Sequence, residues 1–222
     1  MMLIVRVFPK EKLKDSWDRA VNSLEKMSNE NCTPLYISQQ EEKDFMSIIF
    51  DVKDTDAFTD VLVRNIPSGA NSEKTRTIIL LKPVFFPAPK DRPEHLERYQ
   101  VALRVASDEL NNVFNHTVHL DYPVDLFPTY AAYSFGEDDI LMSMLSISRD
   151  KVRAFVKEKI ESQEGVLGVD IGRIDRSKRL APLETWRRYR EDKYLFKPSD
   201  GFEEYDFTEQ ALLSGAFAKD LE

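Results

Sequence analysis

The stretch over residues 136–180 constrains the fold of this chain more than any other part of its sequence. Residues 140–147 are apolar at both sets of alternating positions, which predicts a central strand that is covered on both faces. Ser148 can cap a following helix, whose apolar residues recur at helical spacing. Gly165 ends that helix, and a second strand comes after it. The stretch therefore predicts strand, helix and strand in direct succession.

The whole chain predicts the same elements twice, in the order β-α-β-β-α-β. The predicted strands of the first half span residues 2–8, 33–38, 45–52 and 75–83, with helices over 13–27 and 55–66. The second half adds strands over 99–106 and 130–135 and a helix over 108–117. Two short echoes support a duplication: Met46-Ser47 returns as Met142-Ser143, and Val5-Arg6-Val7 returns as Leu103-Arg104-Val105.

These elements predict an α+β protein made of two tandem ferredoxin-like units. The first unit is expected over residues 1–83 and the second over residues 98–182. Residues 84–97 are rich in proline and are predicted to link the two units. Residues 183–222 are acidic and rich in aromatic side chains, so we expect a C-terminal arm that packs on its own domain or on a partner subunit.

The charge of the chain argues against several classes of partner. With a net charge of −8 and a pI near 5.1, it lacks the basic balance that nucleic acids and anionic membranes require. No apolar run reaches the length that spans a membrane, and Cys32 has no second cysteine with which to form a disulfide. We therefore expect a cytoplasmic protein that binds neither nucleic acid nor membranes.

Both halves of the chain resemble the effector-binding domain of Lrp/AsnC transcription regulators, which belongs to the dimeric α/β-barrel group of ferredoxin-like folds. The resemblance rests on a Gly-x-x-Asp hairpin over residues 136–139, on the apolar strand and helix after it, and on the Gly165-Val166 step before the closing strand. The first half matches at Asp44, although Glu41 stands where the family has its glycine.

The resemblance implies a homodimeric regulatory protein that binds a small molecule such as an amino acid or an organic acid. Regulators of this family carry an N-terminal helix-turn-helix, whereas this sequence begins on its first strand, so we expect no DNA-binding domain. The family places its effectors near the hairpin, which nominates Gly136 and Asp139 here, with Asp44 as the first-half equivalent. A structural role is the alternative, because glycine and aspartate are ordinary residues of tight turns.

Two arginines in the middle of predicted strands form a second candidate site. Arg6 and Arg104 alternate with apolar residues that should face the helices, so both side chains are expected on the opposite face of the sheet. A buried guanidinium requires a negative partner. For Arg104 that partner is either Asp170 or a bound anion. The strand over residues 75–83 offers Arg6 no acid, which predicts a pocket near Arg6 for a small anionic metabolite.

Metal and cofactor chemistry find little support in the sequence. His95, His116, His119 and Cys32 lie in unrelated predicted elements. Related barrels of the chlorite-dismutase group bind heme through a histidine, and His116 would be its equivalent here, but it falls off the apolar stripe of its helix. We therefore expect no metal, no cofactor and a regulatory protein. The alternatives are an α/β-barrel enzyme, either heme-dependent or a cofactor-free monooxygenase, and a purely structural partner subunit.

Overall fold

Residues 1–27, 30–86 and 95–182 are described by a computed structural model. They form antiparallel sheets with few helices, so the mixed α+β fold expected from the sequence is confirmed. Two compact units can be distinguished: unit 1 contains residues 1–81 and 175–182, and unit 2 contains residues 82–174. The expected arm over residues 183–222 and residues 87–94 of the expected linker lie outside the described residues.

Unit 1 has the element order of a ferredoxin-like unit. Its elements are β1 (Met2–Pro9), α1 (Leu13–Glu25), β2 (Cys32–Gln40), β3 (Met46–Val52), α2 (Thr55–Asp60), a π-helical segment (Val61–Asn65), α3 (Ile66–Gly69) and β4 (Ser72–Phe85). The strands lie antiparallel in the order β4-β1-β3-β2. The helix after β3 begins at Asp54, whose carboxylate accepts hydrogen bonds from the backbone N–H groups of Asp56 and Ala57.

One face of the unit 1 sheet carries the apolar core. Leu3, Val5 and Val7 alternate along β1 and pack in one buried cluster with Trp17 and Phe58 of the helices. They share this face because successive side chains of a strand point to opposite sides. The even-numbered residues of β1 therefore lie on the other side of the sheet, which we call the second face.

Unit 2 repeats this element order. Its elements are β5 (Glu97–Val105), α4 (Leu110–Val118), β6 (Leu126–Phe135), β7 (Ile140–Ser146), α5 (Arg149–Val156), a π-helical segment (Lys157–Glu161) and β8 (Val166–Arg179). The strands lie antiparallel in the order β8-β5-β7-β6. All seven residues of β7 are buried, as expected for a strand that is apolar at both alternating sets of positions. The Ser148 hydroxyl accepts a hydrogen bond from the backbone N–H of Asp150 and caps α5 as predicted.

A π-helical segment interrupts the second helical stretch of each unit, a feature that the helical periodicity of the sequence does not predict. Ile66 donates its backbone N–H to the carbonyl of Val61, five residues earlier, and both side chains are buried. Five residues of an α-helix turn the chain by about 500°, which would separate two such side chains by about 140°. The wider π-turn lets both face the sheet. Phe155 and Ile160 are likewise five residues apart and buried in unit 2.

Helices in the described part of the chain are short. None of them is long and apolar enough to cross a membrane.

Candidate functional site

A row of four residues crosses the second face of the unit 1 sheet. The strand register places Arg76 of β4 opposite Arg6 of β1, Arg6 opposite Ser47 of β3, and Ser47 opposite Ser38 of β2. We call this set the cationic row. Arg6 is only 8% exposed and both serines are buried, whereas Arg76 is exposed. Like charges directly opposite each other on neighbouring strands destabilise a sheet, so this arrangement requires something that offsets the repulsion.

Two phenylalanine rings provide part of that offset. The guanidinium carbon of Arg6 lies 4.9 Å from the ring centroid of Phe45, and that of Arg76 lies 5.5 Å from the ring centroid of Phe8. The ammonium nitrogen of Lys74 lies 4.5 Å from the same Phe8 ring. The two ring centroids are 5.4 Å apart. Because the face of an aromatic ring is electronegative, this cation–aromatic cluster stabilises three positive charges in a small space.

A pocket of about 340 Å³ adjoins the cluster within unit 1. It is lined by Phe8, Pro9, Glu11, Lys12, Leu13, Asp44, Glu73 and Lys74. Phe8 and Lys74 thus belong both to the pocket and to the cation–aromatic cluster. The volume falls at the lower end of the range of small-molecule sites, roughly 300–1,000 Å³. The lining offers a ligand an aromatic wall at Phe8. Its three carboxylates outnumber its two lysines, so the positive charge is confined to the end next to the cation–aromatic cluster.

The sequence pointed to Arg6 and Asp44 of this region but not to Phe8, Phe45 and Lys74. Phe8 was within reach, because it is two residues after Arg6 and therefore on the same face of β1. Phe45 and Lys74 gave no comparable signal. They join Phe8 only through the pairing of β1 with β3 and β4, which links residues far apart in the sequence.

The predicted hairpin residues of unit 2 have structural roles. Gly136 is exposed, with a φ of 155°. The carboxylate of Asp139 accepts a hydrogen bond from the backbone N–H of Val105 at 2.8 Å. Its own backbone N–H donates to the carbonyl of Leu103, and its carbonyl accepts from the N–H of Ser134, both at 2.8 Å. Asp139 therefore ties the hairpin to β5, and a ligand-binding role for Gly136 and Asp139 stays a prediction.

The expectation that Arg6 and Arg104 are both partly buried holds for Arg6 only. Arg104 and Asp170 are exposed. Arg104 lies opposite Gly168, and its guanidinium covers that glycine so closely that a Cβ there would be 2.5 Å from Nη2. Asp170 lies opposite Ala102 and is therefore diagonal to Arg104. Arg104 reaches solvent because it lies near the end of β5, next to a register shift in its pairing with β8.

Unit 2 also contains an ion-pair cluster that the sequence did not reveal. The buried phenol of Tyr99 donates to the carboxylate of Glu97, and Arg173 Nη1 donates to Glu97 Oε1 at 2.6 Å. Burial first, and then the hydrogen bond to Glu97, raises the pKa of Tyr99 above its usual range. The phenol therefore stays protonated at neutral pH and serves as a hydrogen-bond donor.

The metal-ligating residue types are poorly placed for coordination. His95, His116 and His119 are all exposed, and His116 lies on the outer side of α4. Burial raises the pKa of the Cys32 thiol to about 11, with a smaller contribution from Asp51, so the thiol stays protonated at neutral pH. Within the described ranges, no three histidine, cysteine or acidic residues are grouped so that they could hold a metal ion.

Comparison with known proteins gives a fold and no family. No protein-family model matches the chain, and no curated protein does. The siroheme decarboxylase NirDL matches with a TM-score of 0.56 and 8% identity, over 86% of this chain and 78% of its own. An anthrone oxidase-like protein matches with a TM-score of 0.51 and 7% identity, over 82% of this chain and 94% of its own. A candidate monooxygenase from Fusobacterium nucleatum matches with a TM-score of 0.47 and 11% identity, over 81% of this chain and 92% of its own.

These matches define the class of fold, the ferredoxin-like α+β fold that those proteins share. They also correct the expected function. A regulatory protein of the Lrp/AsnC type was predicted, but the two matched structures with TM-scores above 0.5 are described as a decarboxylase and an oxidase-like protein. The reading as a regulator is therefore wrong, and the enzyme alternative has the better support. The resemblance of the hairpin to the Lrp/AsnC pattern itself stays a prediction.

The expectation of no cofactor is corrected as well. The siroheme decarboxylase has also been solved in complex with an iron-uroporphyrin III analogue, with a TM-score of 0.52 to this chain. That protein thus binds an iron tetrapyrrole. The residues described here do not fit a histidine-ligated heme, because all three histidines are exposed and the thiol of Cys32 is buried and protonated.

Proposed function

We propose that this chain is an α/β-barrel enzyme that acts on a flat, conjugated organic substrate carrying a carboxylate. The proposal includes the tandem arrangement of two ferredoxin-like units, the homodimer and the cytoplasmic location expected from the sequence. Its main support is the cation–aromatic cluster of unit 1, in which Arg6, Lys74 and Arg76 surround Phe8 and Phe45.

The cluster suits such a substrate because it combines two kinds of contact. Aromatic rings bind flat ring systems by offset or edge-to-face stacking. Guanidinium groups bind carboxylates through two parallel hydrogen bonds, which lysine cannot reproduce. Arg6 is buried, so its interaction with an anion is weakly screened by solvent. An acid held by the arginines would place its ring against Phe8, at the wall of the pocket.

The fold likeness supports the same class of substrate. Anthrone and siroheme, named in the two matches with TM-scores above 0.5, are both flat conjugated ring systems. The pocket of about 340 Å³ has room for two or three fused rings and is smaller than a tetrapyrrole. This favours a small aromatic acid as the substrate.

The tandem arrangement is supported by features of both units. Each has the same element order, and each places a π-helical segment soon after a buried phenylalanine, Phe58 in unit 1 and Phe155 in unit 2. A π-segment is uncommon. Its presence at the corresponding place in both units favours a duplication.

Binding of anthracene-2-carboxylate, followed through its fluorescence, tests the proposed site. We expect saturable binding to the wild type and about 10- to 100-fold weaker binding to Arg6→Leu, because a hydrogen bond to a charged group is lost. Arg64→Leu is the matched control, since Arg64 is an exposed arginine of the same unit. Equal affinities of the two variants would rule out the site.

Catalysis requires a separate measurement. Wild-type protein, as purified and after addition of hemin, is incubated in air with the bound aromatic acid, and the absorption spectrum of the acid is followed. We expect a chemical change in the acid that Arg6→Leu slows. If a panel of aromatic acids binds through Arg6 but none of them changes chemically, the protein binds such acids without converting them. That result would contradict the proposed enzymatic activity.

A further inference from the structure

We infer that the hydroxyl of Ser143 donates a hydrogen bond to the carbonyl oxygen of an uncharged ligand on the second face of unit 2. Ser143 lies in β7, opposite Tyr130 of β6 and Gln100 of β5. Gln100 in turn lies opposite Gly172 of β8. We call these four residues the neutral row, because none of them carries a charge.

The Ser143 hydroxyl has an unmet hydrogen-bonding need. The residue is 4% exposed, and its Oγ has no hydrogen-bond partner among the residues that the structure describes. The hydroxyl of Thr129 reaches Ser143 but donates to its backbone carbonyl oxygen, at 3.0 Å. Buried polar side chains of folded proteins nearly always have a partner, from the protein, from water or from a ligand. A water molecule or the acceptor of a bound ligand can meet this need.

The surroundings of Ser143 select an uncharged ligand. Its neighbours on the same face of β7, Leu141 and Leu145, are buried, and so are Ala102 and Ala132 on the adjacent strands. The nearest cation on this face is the half-buried Arg98, opposite Leu145, which already interacts with other groups of the protein. A charged group is costly in such surroundings unless it is paired. A ketone or aldehyde has one strong acceptor on an otherwise apolar body, which matches one buried donor beside apolar side chains.

Asp170 is the charged residue of β8 next to the neutral row. Its charge does not alter the preference of this face for an uncharged ligand. It lies two residues before Gly172 on the same face of the strand, and its side chain is exposed. Water screens most of the field of an exposed carboxylate, and what remains of that field repels anions. This again favours an uncharged ligand beside Ser143.

The inference is independent of the proposed enzyme site. It uses residues of unit 2 only, whereas the cation–aromatic cluster lies wholly in unit 1. Loss of carboxylate binding in Arg6→Leu would leave it untouched. Conversely, failure to find a carbonyl ligand at Ser143 would leave the carboxylate site standing.

Infrared difference spectroscopy with acetophenone labelled with ¹³C at the carbonyl provides the test. We expect the carbonyl band of the bound ketone at lower wavenumber than in an apolar solvent, since a hydrogen bond weakens the C=O bond. In Ser143→Ala the band should return to its apolar position, and acetophenone should bind about 3- to 10-fold more weakly, the worth of one neutral hydrogen bond. Ser143→Thr keeps the hydroxyl and should keep the shifted band.

Ser134→Ala is the matched control. Ser134 is buried as well, and its hydroxyl has no partner within the described ranges, but it is four residues beyond Tyr130 on β6, about 13 Å away. It should leave both the band and the affinity unchanged. An unshifted band in the wild type would overturn the inference, as would equal losses in the two alanine variants. A crystal structure with only an ordered water on Ser143 Oγ in the presence of saturating acetophenone would overturn it too.

Discussion

Unit 1 and unit 2 carry different chemistry at corresponding places of the same strand order. In each unit a serine of the third strand lies on the second face of the sheet, Ser47 in unit 1 and Ser143 in unit 2. The residue opposite on the first strand is Arg6 in unit 1 and Gln100 in unit 2. The fold thus fixes where a side chain lies, while Arg6 and Arg76 make the row of unit 1 positive and Gln100 and Gly172 leave the row of unit 2 neutral.

The hairpins of the two units differ in a related way. In unit 2, Gly136 provides the turn and Asp139 binds the backbone of β5. In unit 1, Glu42 adopts a positive φ of 62° and Asp44 is exposed at the rim of the pocket. A carboxylate used for the fold in one unit is available to a ligand in the other. Asp44 repels an acidic substrate, so the substrate's carboxylate must lie at the arginine end of the site, away from this rim.

The largest effect is expected when the cationic row loses its buried charge, that of Arg6. Arg6→Gln gives unit 1 the residue type that unit 2 has at the corresponding place. Anthracene-2-carboxylate should then bind about 10- to 100-fold more weakly, while the neutral alcohol anthracene-2-methanol should bind with unchanged affinity, because only the charged contact is lost. Gln100→Leu in unit 2 serves as the control and should alter neither affinity. A preference for the acid that survives Arg6→Gln would contradict the contrast between the rows.

The hairpin difference predicts unequal losses of stability. Asp139→Ala removes the acceptor of the Val105 N–H and should lower the free energy of unfolding by about 1–3 kcal/mol, the cost of leaving a buried donor unpaired. Asp44→Ala affects an exposed side chain and should change it by less than about 0.5 kcal/mol. Urea unfolding of both variants measures this difference. Similar losses of unfolding free energy in the two variants would show that Asp44 and Asp139 have the same structural role.

Alkaline pH should destabilise the two units over different ranges. The pKa of Cys32 in unit 1 is raised to about 11, so its thiol contributes stability that is complete below about pH 9 and is lost as the pH rises towards 11. The raised pKa of Tyr99 in unit 2 acts in the same direction, beginning near pH 10, where an unfolded tyrosine ionises. Between pH 9 and 10, Cys32→Ala should reduce the loss of unfolding free energy by about 1 kcal/mol. Tyr99→Phe should reduce that loss only above pH 10. Urea unfolding at a series of pH values distinguishes these profiles.

The smallest effect is expected at the histidine that the sequence offered as a heme ligand. His116 is exposed on α4, so His116→Ala should change the free energy of unfolding by less than about 0.5 kcal/mol. It should also leave the absorption spectrum of added hemin unchanged from that seen with the wild type. A loss of the hemin spectrum in this variant alone would restore His116 as a ligand.

The two short sequence similarities between the halves of the chain cannot by themselves identify equivalent positions in the two units. Aligning Ser47 with Ser143 places Gln100 at the position of Arg6, because each serine lies opposite those residues. Aligning Arg6 with Arg104 instead displaces the serines, since Arg104 is four residues further along β5. Both echoes cannot mark equivalent positions. A single sequence does not contain the pairing that decides between them.

The sequence by itself determined the element order, the buried character of β7, the cap at Ser148 and the face on which Arg6 lies. All of these depend on residues close together in the chain, through the periods of strand and helix and through local capping. Only the tertiary structure decided that Arg6 is buried against Phe45 while Arg104 is exposed over Gly168. Those outcomes depend on strand register and on distance from the strand end, which are set by contacts between segments that are distant in the sequence.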